Sequence, residues 1–379
     1  MLRTLLIDRN KLLASRASLA SGLIRSAITI AEAEPLKSSL EIEIQTLASR
    51  IATNLTRLRT GPDSILEDVL SDTAQDWGRM EILSDDLIGS LVRVHSDDRL
   101  SLRIIRWLHE AHSETLDVPA AFSNAATAVL PYTSSFPPLY YLPSVEQRLL
   151  LYQPMLFHEF GHVLYAHHHD EMDDLVGELQ EKIQELLVPA SERDDKYAVH
   201  QASQAQQVAT TWYSWAQEFF CDAVGFEIGG PGFLRTFSMF LGGSDADDFY
   251  ADRDELATSS HPLTWLRVKL LAERATKAGY GSLAGAVVAE WATIAAALAI
   301  TEDYHGYYIP SVGPLVEATI ADMLIETSPR RHEQGEAEAE AWNEGDSPIT
   351  LVTAAWNSFV RAPDAYYSAE HDLIERFLA

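Results

Sequence analysis

Met155-Leu156-Phe157-His158-Glu159-Phe160-Gly161-His162-Val163-Leu164-Tyr165 is an apolar, proline-free run that carries two histidines and a glutamate. Residues four apart share one face of a helix, so the run predicts a helix presenting His158 and His162 together, with Glu159 beside them. Two neutral imidazoles at this spacing suit zinc. A carboxylate next to them is placed to take a proton from water whose pKa the ion lowers to about 7. Gly161 costs a helix about 1 kcal/mol relative to alanine, which asks for a reason such as close packing. The same spacing also arises by chance on a partly buried helix, so a third ligand has to decide.

A later stretch offers one. Trp212-Tyr213-Ser214-Trp215-Ala216-Gln217-Glu218-Phe219-Phe220-Cys221-Asp222 sits in a long helix predicted from about Val199 to Ile228, with Gly229-Gly230-Pro231 as its stop signal. Glu218 and Asp222 share a face among aromatics, where a carboxylate is expensive unless something such as zinc compensates it. The bland alternatives are an ion pair of Glu218 with Arg235 or Arg267, and a capping or pairing role for Asp222. Cys221 points elsewhere and reads as a small buried apolar residue. His261-Pro262-Leu263-Thr264-Trp265-Leu266-Arg267 then opens another helix, with proline in its first turn. His261 either caps that helix or donates into the site, and Tyr250 and Tyr280 are alternative donors.

The rest of the composition bounds the function. The 379 residues suggest roughly two or three structural units. A net charge of -28, from 28 basic and 56 acidic residues, argues against nucleic acid or an anionic membrane as the main partner. Only six of the basic residues are lysine, and such an acid-rich, lysine-poor balance suits a high-salt interior. One cysteine, Cys221, excludes an intrachain disulfide and fits a reducing, cytoplasmic setting. Met1 to Ala27 breaks its apolar residues with charges and does not read as a signal peptide. Leu283 to Ile300 approaches a membrane span in length, but alanine dominates it and Glu290 interrupts it, so it reads as a buried helix.

Along the chain, residues 1–116 read as helical. Leu12, Leu13, Leu19, Leu23 and Ile24 form a first amphipathic segment ended near Pro35, and Leu40, Ile44, Leu47, Ile51 and Leu55 a second, stopped before Gly61-Pro62. Further helices are expected over Ile65–Met80, Asp86–Val94 and Asp98–Ala111, with Ser84 or Asp85 capping the middle one. From Asp117 to Ser144 small residues around Ala125-Ala126, then prolines and aromatics such as Tyr140 and Tyr141, predict short strands. Ser144 is a candidate N-cap, and Pro154 either kinks or starts the helix that carries His158. Asp170 to Leu187 is helical, and Pro189 breaks it. Gly242 to Ser260 reads as an exposed acidic loop with at most one short helix. The region 281–379 is helical apart from a mobile acidic loop at 328–347. Residues 117–280 therefore form the expected catalytic unit.

The three separated blocks, His158-Glu159-x-x-His162, Glu218-x-x-x-Asp222 and His261-Pro262-x-x-x-x-Arg267, together resemble the gluzincin metallopeptidases. They are most similar to the membrane gluzincins of prenyl-protein processing and bacterial membrane-protein quality control, though this chain lacks their hydrophobic spans. The resemblance covers roughly residues 140–275. It implies a mainly α, zincin-like core with a small β-sheet, flanked by helical N- and C-terminal regions. It further implies Zn2+ held by His158, His162 and Glu218, Asp222 steadying a ligating histidine, Glu159 as base, and His261 and Arg267 near the cleft, His261 stabilising the oxyanion. His168 stands where metzincins place a third histidine. Those enzymes need a glycine at the position Tyr165 occupies, so His167-His168-His169 reads as a helix end. The expected partner is a protein or peptide substrate, with a regulatory partner if the enzyme is latent. The rival expectation is a zinc-stabilised regulatory or binding module without turnover.

Overall fold

The computed structural model describes residues 2–93, 98–116, 120–124, 127–131, 136–143, 145–188, 198–241 and 246–379. The expectations for Ala125-Ala126, Ser144, Pro189, the side chain of Asp85 and the glycines opening the 242–260 loop lie outside the described residues. The fold is mainly helical with one three-stranded sheet. Contacts divide the chain into two units, 1–106 with 117–148, and 107–116 with 149–379. The strand segment thus groups with the N-terminal helices, and the helices after residue 281 group with the segment carrying His158.

In the first unit, α1 (Leu2–Ser26), α2 (Glu34–Thr60), α3 (Leu66–Ile82), α4 (Ile88–Arg93) and the start of α5 (Arg99–Glu110), whose last residues group with the second unit, follow the predicted order. The core stripe of α1 is Leu6, Asn10, Leu13, Ala17, Ala20 and Ile24, alternating steps of four and three. That alternation throws Leu12, Leu19 and Leu23 to the outside, at 52%, 71% and 52% exposure, against the expectation that they join the core. Pro35 does not close the first helix. It lies in the first turn of α2, where its missing N–H costs nothing. Ser84 caps nothing either, because Leu83–Leu87 is a π-helical turn joining α3 to α4 without a break. The sheet runs in the order β1 (Ala121–Asn124), β3 (Leu139–Leu142), β2 (Ala128–Leu130), with β1 parallel and β2 antiparallel to β3. Leu139, Tyr140 and Leu142 of β3 are buried and Tyr141 is partly open, so the two tyrosines form a core and rim pair.

The second unit contains α6 (Met155–His167), α7 (His169–Leu187), α8 (Ala198–Phe240), α9 (Arg253–Thr258), α10 (Thr264–Ala275), α11 (Gly281–Ala297), α12 (Gly313–Thr327), α13 (Gln334–Ala337), α14 (Pro348–Arg361) and α15 (Pro363–Leu378). Pro154 is the N-cap of α6, so it starts that helix. The stop expected at Gly229-Gly230-Pro231 is a break inside α8: Gly230 takes φ 53°, a left-handed value that favours glycine, and the helix resumes at Pro231. Proline has no N–H for the Glu227 carbonyl one turn earlier. His332 replaces it, its backbone N–H at 2.8 Å and its Nδ1 at 2.9 Å from that oxygen, while Nε2 lies 3.0 Å from the Tyr280 hydroxyl.

This docking corrects the reading of 328–347 as a mobile loop. The segment is packed, with Ala337 and Trp342 buried and α13 closed by a capping box between Glu333 and Glu336. The helical reading of the C-terminal third also misses a loop, 298–312, anchored by buried Tyr304 and Tyr307. Expected to be buried, α11 hides only Ala284, Val287 and Trp291. Among the described residues no helix is long and apolar enough to cross a membrane. The 242–260 segment carries a 3-10 turn besides α9, and buries Phe249 and Leu256.

Candidate metal centre

Two helices build the site. Early residues of α6 meet late residues of α8, Phe157 against Gly229, and Tyr165 meets Phe220, so the helices run antiparallel. Gly161 is where they come closest: a Cβ there would fall 2.8 Å from Cys221 Cα and 3.1 Å from its Sγ. Backbone cannot yield to that overlap as a side-chain tip can, so glycine is required and its helical cost has its reason. Cys221 is the buried apolar filler of this contact, its thiol pushed up by burial.

This approach brings His158, His162 and Glu218 together, one ligand atom from each lying within 4.8 Å of the others. His158 Nε2 is 3.6 Å from Glu218 Oε2, and His162 Nε2 is 3.6 Å from Glu218 Oε1. Ligands about 2.1 Å from a tetrahedral ion lie roughly 3.4 Å apart, close to these two nitrogen–oxygen separations, so the three residues could hold a metal ion. The other nitrogen of His158, Nδ1, is 2.9 Å from Asp222 Oδ1, which favours the tautomer whose Nε2 lone pair is free for an ion.

Arg267 binds both carboxylates. Its Nε donates to Asp222 Oδ2 at 2.9 Å, and its Nη2 reaches Asp222 Oδ1 at 2.7 Å and Glu218 Oε2 at 3.1 Å. The guanidinium also stacks on Phe237 at 5.1 Å. Arg267, expected near the cleft among the catalytic groups, is 5% exposed and engages Asp222 and Glu218 through Nε and Nη2. Its work is to hold them charged and in place. Arg235, the other partner considered for Glu218, donates to Asn357.

Charge in the site follows from burial and these pairs. Burial opposes ionisation of Glu218 and Asp222, but Arg267 prevails and holds both below the usual carboxylate range. Burial would lower His158, yet the Asp222 contact raises it overall. Glu159, 5% exposed, is pushed up to about 7, mainly by burial and with Glu218 adding to it. Burial and the neighbouring His158 take His162 down to about 4.

The last shift has a measurable sign. His162 ordinarily titrates at 6.5 and in the fold at about 4, so the unfolded chain takes up this proton first as the pH falls. Stability is therefore lost between about pH 6.5 and 4, by an amount on the order of 3 kcal/mol. In urea unfolding of chelator-treated protein, the wild type should lose stability relative to His162→Gln across that interval. A difference independent of pH would contradict the assignment.

His261 lies on the open side of the site, its side chain 63% exposed against 24% for His162. Its Nε2 is 3.5 Å from Glu218 Oε1, and its Nδ1 is 2.9 Å from the Ser260 hydroxyl. It does not cap a helix, because α10 begins at Thr264 with Leu263 as N-cap, and Pro262 precedes the first turn. Trp215, three residues before Glu218, places this loop by donating its indole N–H to the Ser259 carbonyl at 3.2 Å. Neither Trp215 nor Ser260 is singled out by motif or spacing. The aromatic density around Glu218 was the available signal, since a buried indole needs an acceptor. Of the alternative donors, Tyr280 is engaged by His332, and Tyr250 meets His305 edge to face. His168 faces Glu114 and Glu326 at 3.6 and 3.7 Å. Comparisons of this chain with protein families, with curated proteins and with solved structures found no match.

Proposed function

We propose that this protein is a zinc-dependent peptidase of gluzincin type with a zincin-like core, held by His158, His162 and Glu218. The observation that carries the reading is the convergence of these three donors from two helices, with Glu159 on the same helical turn as His158 and outside the donor set. A zinc ion in that position would activate water and polarise the substrate carbonyl. Glu159 takes the proton from the attacking water and passes it to the amine nitrogen as the peptide bond breaks. A buried carboxylate with a pKa near 7 suits both transfers, and a cation beside it would favour its ionised form. Asp222 holds the His158 ring through Nδ1, and Arg267 holds Asp222. His261, on the exposed side, donates to the oxygen on which negative charge develops.

The substrate is a protein or peptide, and we place the reaction in the cytoplasm on the strength of the single, buried cysteine. One feature favours the second reading, a regulatory module or latent enzyme that needs a partner: Glu159 is 5% exposed and so offers little surface to a substrate. Chelation separates the two. Dialysis against a chelator should abolish cleavage of a peptide library, and stoichiometric zinc should restore it. Cleavage that survives complete metal removal would overturn the peptidase reading. Zinc binding without cleavage would favour the regulatory one.

A further inference from the structure

A second concave site lies in the same unit as the metal centre. A cavity of about 580 Å3 opens between α8, α10 and the start of α12, within the range of about 300–1,000 Å3 typical of small-molecule sites. Asp222 and Arg267 line it, whereas His158, Glu159, His162 and Glu218 do not. It therefore reaches the ion pair behind the metal centre from another side. Phe219, Leu271, Val316 and Ile320 give it apolar walls, and Arg274 and Lys277 belong to its lining.

Three features select the ligand. Arg267 uses Nε and Nη2 on Asp222 and Glu218, and its Nη1 meets no carboxylate or carbonyl among the described residues. Arg267 is 5% exposed and lines the cavity, so an anion there would meet a buried guanidinium through charge-assisted hydrogen bonds, the stronger kind. Gly313 and Pro314, the first turn of the 15-residue α12, add the positive end of a helix. The cavity also contains Glu273 and Glu317, the latter paired with Arg274 at 3.3 Å and Lys277 at 3.5 Å. These carboxylates disfavour a doubly charged ligand, and the walls require an apolar body.

We propose that this cavity binds an aliphatic monocarboxylate, its headgroup on Arg267 Nη1 and its chain against the apolar walls, and that occupancy tightens metal binding. The coupling runs through Arg267, whose Nη2 lies 3.1 Å from Glu218 Oε2. A ligand carboxylate that shares the guanidinium's charge loosens its hold on Glu218 and leaves that oxygen freer for an ion. Linkage then requires the ion to tighten the carboxylate by the same factor. This second half rests on the proposed metal binding, and the first half does not.

Calorimetric titration of octanoate into the full chain, metal-free and zinc-loaded, tests it. Octanamide serves as the uncharged control. Ala318→Trp and Ala321→Trp narrow the cavity from lining positions that are exposed. Octanoate should bind at least about tenfold more tightly than octanamide, and lose at least about tenfold in the blocked variants. At saturation it should slow zinc loss to a chelator about threefold or more. Absent binding, equal binding of octanamide, undiminished binding in both blocked variants, or unchanged zinc retention would each overturn the proposal. A chain that binds no zinc at all would instead contradict the metal reading and sink the coupling. The first three comparisons would still decide the pocket.

Discussion

Glutamine in place of Glu159 is expected to leave the ion bound and to lower peptide hydrolysis by about 10²–10⁴-fold, the span that general acid–base catalysis supplies. The substitution keeps the volume and much of the polarity of a side chain that is buried on α6, so the helix packing around Gly161 and Cys221 should survive. What it removes is the ability to accept a proton from water and return it to the leaving amine. None of the three candidate ligands is altered, so metal content by elemental analysis should match the wild type. Undiminished cleavage by the variant would show that the proton takes another route. Loss of the metal along with activity would show that Glu159 supports the ion rather than the chemistry.

Arg267→Met should destabilise the metal-free protein by about 3–5 kcal/mol, the cost of stranding buried charge by removing its partner. The two carboxylates left behind, Asp222 and Glu218, are both nearly inaccessible to water, so solvent does little to compensate them. Zinc should recover part of the loss, because an ion at Glu218 supplies positive charge from the other side. Urea unfolding of wild type and variant, each with and without zinc, measures both effects. A loss under about 1 kcal/mol would mean that the Arg267 pairs are no more than surface-like contacts. A loss that zinc leaves unchanged would mean that the ion does not sit beside Glu218.

The features legible in the sequence are those in which one local rule acts alone. The four-residue step sets His158 with His162 and Glu218 with Asp222 whatever surrounds them, and Gly161 announced a close contact because glycine is costly in a helix. Where two rules compete, reading by composition fails. Leucine outweighs alanine in any hydrophobic count, yet Ala17 and Ala20 occupy the α1 seam and Leu19 faces out, because geometry and not size fixes the stripe. The apolar content of α11 says nothing about how many neighbours reach it. The acidic 328–347 segment is ordered by a vacancy more than a hundred residues away, the Glu227 carbonyl that Pro231 cannot serve and His332 does. Arg267 shows the same limit. Its spacing from His261 suggested a place at the cleft, and only the fold reveals that Asp222 and Glu218 claim it.

The central claim is that one ion is shared by donors from α6 and α8. X-ray absorption at the zinc edge on the loaded protein tests it most directly, read beside the same spectrum for Glu218→Ala. The account predicts one zinc per chain with two imidazole nitrogens and oxygen donors at about 2.0–2.2 Å, and a lost or weakened site in the variant. A spectrum unaltered by that substitution, or no bound zinc in the wild type, would contradict it.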